Sequence, residues 1–190
     1  MQEIDVLFDI LDICSVENSM SEDLTKLRIE DLTTDLLGRL YDDFERIEES
    51  ALLLVGVIPF RIKAKQSVLK KLNKYKDRSV TLQHVFKDLL ACRVIVDEYP
   101  DVKLNSHIEK IEHTGDYRAV HYVFTKSKYH YPIEIQYWKK EDVLFNTLSH
   151  TYLYKAGQDK SICMKMREEY DNGRIKNEED FLRCLKAVSA

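Results

Sequence analysis

An α+β fold, a small mixed sheet flanked by helices with more helices at either end, is predicted by the order of two hydrophobic periods. Apolar steps of three and four dominate the first third and return beyond residue 140. The middle instead carries short runs rich in β-branched residues. Scale agrees: 190 residues, 44% hydrophobic and 33% charged, suffice for one domain with a packed core and no disulfide staple.

Ile4, Leu7, Phe8 and Leu11 share one face of a short helix. Leu36, Leu40, Phe44, Ile47, Ala51 and Leu54 describe a long amphipathic helix, capped by Asp31, Thr33 or Thr34 and ended by Gly56 and Pro59. A further helix opening near Ser67 aligns Ser67, Lys71 and Lys74 on one face. It turns Val68, Leu69, Leu72 and Tyr75 to the core, with Arg61 and Lys63 just before its N-terminus. Strands are expected over residues 91–96, 117–124 and 131–138, and a fourth over 107–113. Asn177, followed three residues on by Asp180, caps a last helix running to about Val188. The organisation is a single domain: residues 1–30 an N-terminal helical extension, 31–156 the core, 157–190 a C-terminal helical extension.

The net charge of −4 argues against indiscriminate nucleic-acid binding across the surface and leaves a local basic patch open. The composition excludes a disordered or fibrous chain, and five Gly and three Pro leave little room for linkers. Cys14, Cys92, Cys163 and Cys184 form no CxxC pair and no zinc-type spacing, so reduced thiols are expected. The start, Met-Gln-Glu-Ile-Asp, lacks a basic signal-peptide region. The longest apolar run, residues 51–60, is shorter than the ~20 residues a bilayer requires. A cytoplasmic protein without membrane association is the expectation.

Chemistry concentrates in a few places. Arg61, Lys63, Ser67 and Lys71 bring cations and a hydroxyl to one helix start, as a polyphosphate needs; the same spacing also describes a solvated basic face. Asp88 enters a strand ahead of Arg93 and suits Mg²⁺, or a simple cap. Strand alternation sets Glu134, Gln136 and Trp138 opposite Ile133, Ile135 and Tyr137. Glu134 is then either buried and paired, or on an open face. Tyr117, Ala119 and His121 share a face that suits a base and a phosphate, or ordinary packing.

In order and spacing, R-x-K-x-x-x-S-x-x-x-K from Arg61, D-x-x-x-x-R from Asp88, YRxxH from Tyr117, EIQ from Glu134 and HxxxYK from His150 resemble the synthetase domain of the RelA/SpoT family. The resemblance spans roughly residues 35–156 and is greatest to the small alarmone synthetases, toxic small members included. It implies a nucleotidyltransferase-like fold and pyrophosphate transfer from ATP to the ribose 3′-hydroxyl of GDP or GTP, releasing AMP. By the same resemblance, Arg61 and Arg93 sandwich adenine, and Lys63, Ser67 and Lys71 hold the ATP phosphates. Asp88 and Glu134 bind Mg²⁺, and Glu134 helps to deprotonate the hydroxyl. Tyr117 stacks on the acceptor base, with His121 and Gln136 on the acceptor side. No Walker-type glycine loop is present.

The chain departs from the family pattern on the acceptor side. It reads His113-Thr114-Gly115-Asp116 where Asn-Gly is customary, Trp138 where an Arg follows EIQ, and Ser149 where an acid precedes the late His. Two alternatives therefore stay open. One is a toxin, neutralised by an antitoxin partner, that applies the same chemistry to the tRNA 3′ end or to adenosine nucleotides. The other is a non-catalytic nucleotide-binding or interaction module. Short members of the family often assemble as homo-oligomers.

Overall fold

The computed structural model describes residues 60–75, 77–128 and 130–189. The two helices expected before residue 56, and Cys14, lie outside the described residues. The sheet has five strands in the order β1-β2-β5-β4-β3. They are β1 (Phe60–Ile62), β2 (Leu90–Val96), β3 (Ile108–Thr114), β4 (Arg118–Phe124) and β5 (Ile133–Lys139). Between β1 and β2 stand helices α1 (Lys65–Tyr75) and α2 (Leu82–Val85). After β5 come a 3₁₀ turn (Lys140–Asp142), α3 (Val143–Ser149), a π-helical turn (His150–Tyr154), α4 (Lys160–Asp171) and α5 (Glu178–Val188). This is the expected α+β class, with a mixed sheet.

The chain divides into two compact units, each described by itself. The first takes the described residues up to Val94 together with Pro100–Ile111 and His121–Gln136; the second takes Ile95–Tyr99, Glu112–Val120 and Tyr137 onward.

In the first unit, β1 runs antiparallel to β2, with Arg61 opposite Ala91 and Ile62 opposite Leu90. Arg61 stands ahead of the helix that follows, as expected, and in addition belongs to a short strand that the sequence did not announce. A three-residue strand has too little sequence for a period of two to register. The Lys63 N–H extends the ladder to the Leu89 carbonyl at 2.8 Å. Helix α1 opens at Lys65, two residues before Ser67, because the Ala64 carbonyl accepts from both Ser67 N–H (2.8 Å) and Val68 N–H (3.0 Å). Val68 and Leu72, one turn apart, are fully buried, and Leu69 and Tyr75 half-buried, as the apolar spacing predicts. They pack with Leu82, Val85, Phe86, Leu89 and Tyr131 into one core. Thr81 caps α2, its hydroxyl accepting from His84 N–H at 3.3 Å.

The central strand β5 is buried along both faces from Ile133 to Trp138, so alternation does not divide it into wet and dry sides. Strand β2 is buried only over Leu90–Cys92, and Ile95 is 43% exposed, less covered than its apolar sequence suggests. At one edge of the sheet β3 presents Glu109, Lys110 and Glu112 to solvent, and such charges discourage edge-to-edge pairing.

In the second unit, Phe145, Leu148 and Leu153 form a core with Cys163, Met166, Ile175 and Phe181. The C-terminal helices thus share hydrophobic cover with α3. Gly173, at φ +73°, ends α4 where a side chain at that φ would be strained. Asn177 caps α5 as expected: its side chain accepts from Asp180 N–H at 2.9 Å, and Asp180 accepts from Lys176 N–H at 3.1 Å. Arg167 and Asp142 form a buried ion pair, with side chains 5% and 3% exposed. The guanidinium stands 5.1 Å and 5.3 Å from the Phe145 and Tyr170 ring centroids, and its Nε reaches Asp171 at 2.9 Å.

Asp142→Ala leaves the buried Arg167 with Asp171 as its remaining carboxylate partner and is expected to cost about 1.5–3 kcal/mol of unfolding free energy in urea denaturation. Asn177→Ala should cost about 1 kcal/mol, seen as a lower Tm.

Candidate active site

Lys63, Lys71 and Asp88 come together in the first unit. The β1–β2 ladder fixes the backbone of Lys63 beside Leu89, one residue from Asp88. Helix α1 brings Lys71 to the same carboxylate because its neighbours Val68 and Leu72 are locked in the core. Lys63 Nζ bonds to Asp88 Oδ2, and Lys71 Nζ donates to Oδ1 at 3.0 Å. The Lys71 ammonium also stands 5.8 Å from the Phe86 ring centroid. Burial raises the Asp88 carboxyl, but the Lys63 hydrogen bond and the charges of both lysines outweigh it and hold it below its ordinary value. Asp88 is neither a cap nor a free acid; it is clasped by cations from two elements. Arg61 and Ser67, expected beside these lysines, have exposed side chains.

Glu134, on β5, is buried and paired, the first of its two readings, with 7% exposure. His121 Nδ1, on the neighbouring strand β4, lies 3.0 Å from Oε1, and Gln136 Nε2 donates to Oε2 at 2.6 Å. Gln136 Oε1 in turn accepts from the exposed Arg93 at 3.4 Å. Burial raises the Glu134 carboxyl; His121 and then Gln136 lower it, Asp88 raises it again, and the net shift is downward. The Asp88 charge is thus felt at Glu134. Cys92 is pushed up to about 12 by burial and by the Glu134 charge, so it is an unreactive thiol. Cys92, Cys163 and Cys184 are all free, as expected.

Among the described residues no group of three or more His, Cys, Asp or Glu is placed to hold a metal ion. Mg²⁺ binds through one or two carboxylates together with substrate phosphates and water, a smaller donor set than such a group of three.

In the second unit, Tyr117 lies one residue ahead of β4, not inside it. Its hydroxyl accepts from the Trp138 indole N–H at 2.8 Å. The departures in sequence acquire partners here. Asp116 accepts from Tyr154 Oη at 2.8 Å, and burial together with that bond drives the Tyr154 phenol upward. Ser149 is fully buried and donates to the Asn146 carbonyl at 3.2 Å. His150 and Tyr154 bound the π-helical turn, an irregularity frequent at functional sites. Sequence reading missed the pairing of Trp138 with Tyr117, because alternation within a strand carries no information about cross-strand register.

No helix among the described residues is long and apolar enough to cross a membrane.

A depressed folded-state pKa means that ionised Asp88 contributes stability above its ordinary value of 3.8 and loses that contribution as pH falls through the folded value. Asp88→Asn should therefore be about 1–2 kcal/mol less stable than the parent at neutral pH, with the gap closing in acid below the carboxylate range. Urea denaturation at both pH values checks this; a pH-independent gap would exclude the charge as its cause.

No family model matches the sequence, and no curated protein matches it. Among solved structures, the chain is similar to the small alarmone synthetase 1 from Bacillus subtilis, with a TM-score of 0.40 and 16% identity over 83% of this chain and 94% of that one. A second crystal structure of that enzyme, bound to AMPCPP, gives a TM-score of 0.37 and 15% identity over 85% and 91% of the two chains.

Proposed function

We propose that this chain is an ATP-dependent pyrophosphokinase that transfers pyrophosphate to the ribose 3′-hydroxyl of GDP or GTP. The observation that carries this reading is the clasp of Lys63 and Lys71 on Asp88, whose charge reaches a second ionised carboxylate, Glu134.

An Asp88 carboxylate and a phosphate are equivalent partners for an ammonium. Entry of a polyphosphate gives Lys63 and Lys71 a new anion, and Asp88 is released from the clasp to serve as a metal ligand with Glu134. Bound by these two carboxylates, Mg²⁺ would neutralise charge on the transferring group, which is most of what phosphoryl-type transfer demands. Ser67 contributes a hydroxyl to the phosphates, and Arg61 and Arg93 flank the adenine. Tyr117 is the stacking platform for the acceptor base, and His121 and Gln136 serve the acceptor side. The 3′-oxygen bonds to the β-phosphorus as the bond to the AMP oxygen breaks. Glu134 is the carboxylate assigned to the hydroxyl proton. Its depressed pKa makes it a weak base, so its larger part is electrostatic.

The test is incubation of the purified chain with Mg²⁺ and ATP labelled in its β,γ-phosphates, in parallel with GDP, GTP, ATP alone and bulk deacylated tRNA. Label on GDP or GTP supports the assignment. Label on tRNA or on adenosine nucleotides would instead identify the toxin-type acceptor, for which growth arrest relieved by an antitoxin is the cellular counterpart. No labelled acceptor beside an active control would leave a nucleotide-binding module. Lys63→Ala and Lys71→Ala are each expected to slow transfer about a hundred-fold through loss of charge stabilisation while the circular dichroism spectrum is kept. Parent-like turnover in both would remove the phosphate-site assignment.

A further inference from the structure

Trp138 is the single tryptophan of the chain and is 4% exposed near the end of β5. An indole N–H donates and never accepts, so a buried one must find an oxygen. Here the oxygen is the Tyr117 hydroxyl at 2.8 Å. The two rings meet at 77° with centroids 6.0 Å apart, and His113, on β3, meets Tyr117 at 63° and 5.1 Å. Three rings from β5, the entrance to β4 and β3, neighbouring strands of the sheet, are thus gathered edge-to-face.

We propose that Trp138 is a positioning residue for the acceptor: by holding the Tyr117 hydroxyl it fixes the plane against which a nucleobase stacks. This rests on Tyr117 being the acceptor platform, as proposed above. A tyrosine side chain has two torsions to lose on ordering. A hydrogen bond at its far end and perpendicular rings beside it remove that freedom before the ligand arrives, so binding does not have to. A platform made of rings reads the face of a base, not a phosphate. The ligand class is therefore a nucleoside or nucleotide recognised through its base.

The lone tryptophan makes the test direct. In the full chain, Trp138 emission should be quenched saturably by GDP, GTP or an adenosine nucleotide. Ribose 5-phosphate and pyrophosphate should leave it unchanged. Tyr117→Phe, which keeps the fluorophore and removes its acceptor, should weaken base-dependent quenching roughly three- to ten-fold in affinity. In the transfer assay, Trp138→Phe and Tyr117→Phe should each raise the acceptor KM by about that factor at unchanged ATP KM. The double variant should be no worse than either single one, because both remove the same hydrogen bond. Equal quenching by base-free phosphates, no quenching by any nucleotide, additive losses in the double variant or a rise in ATP KM would each overturn the proposal. If no acceptor is labelled yet base-selective, Tyr117-dependent quenching is seen, the transferase reading fails and the positioning of Tyr117 stands. Transfer without such quenching has the opposite meaning.

Discussion

Asp88 accepts from Lys63 and from Lys71, and this clasp is the constraint on which the chemistry proposed for the first unit depends. It ties the residue after β1, the middle of α1 and the approach to β2 at one carboxylate. Each partner is delivered by a different force: Lys63 by a backbone hydrogen bond to Leu89, Lys71 by burial of Val68 and Leu72 on either side of it. The three charged side chains are 18–30% exposed, dry enough for the attraction to hold and wet enough for an incoming anion to exchange with the carboxylate. The polyphosphate site proposed here needs that intermediate state. Full burial would fix the pair, and full exposure would let salt screen it.

Glu134 illustrates how a central strand tolerates a charge. On β5 both faces are covered, and an unpaired carboxylate there would be expensive. Its two oxygens are taken separately, one facing His121 on β4 and the other held by Gln136 two residues along the same strand. The i, i+2 partner points to the same face by strand geometry, so EIQ is self-supporting in any register. The His121 contact instead requires β4 and β5 to be neighbours. Together these partners favour the ionised form of Glu134 despite its burial.

The second unit solves its own polar burial differently. Arg167 lies between Phe145 and Tyr170 and answers Asp142 and Asp171. Asp171 also accepts from Arg118, so the start of β4 and the end of α4 share one carboxylate. These are structural charges in a helical core built from residues 145–181. The rings of His113, Tyr117 and Trp138 are ordered in the same unit by perpendicular packing and one hydrogen bond.

The sequence by itself determined the class of fold, three main strands to within about two residues, the buried face of α1 and the Asn177 cap, because each rests on local period or local hydrogen bonding. It also singled out Asp88, Glu134, Lys63 and Lys71 as the residues worth watching. Their partners it could not supply. Nothing local shows that Lys63 and Lys71 meet on Asp88, that Glu134 faces His121, or that Trp138 donates to Tyr117. These contacts span 17 to 25 residues for Asp88 and 21 for the aromatic pair. Only strand order and register fix them, and both are set by which elements bury one another. The same reason hid β1: three residues carry no period, and Arg61 becomes a strand residue only once β2 lies beside it.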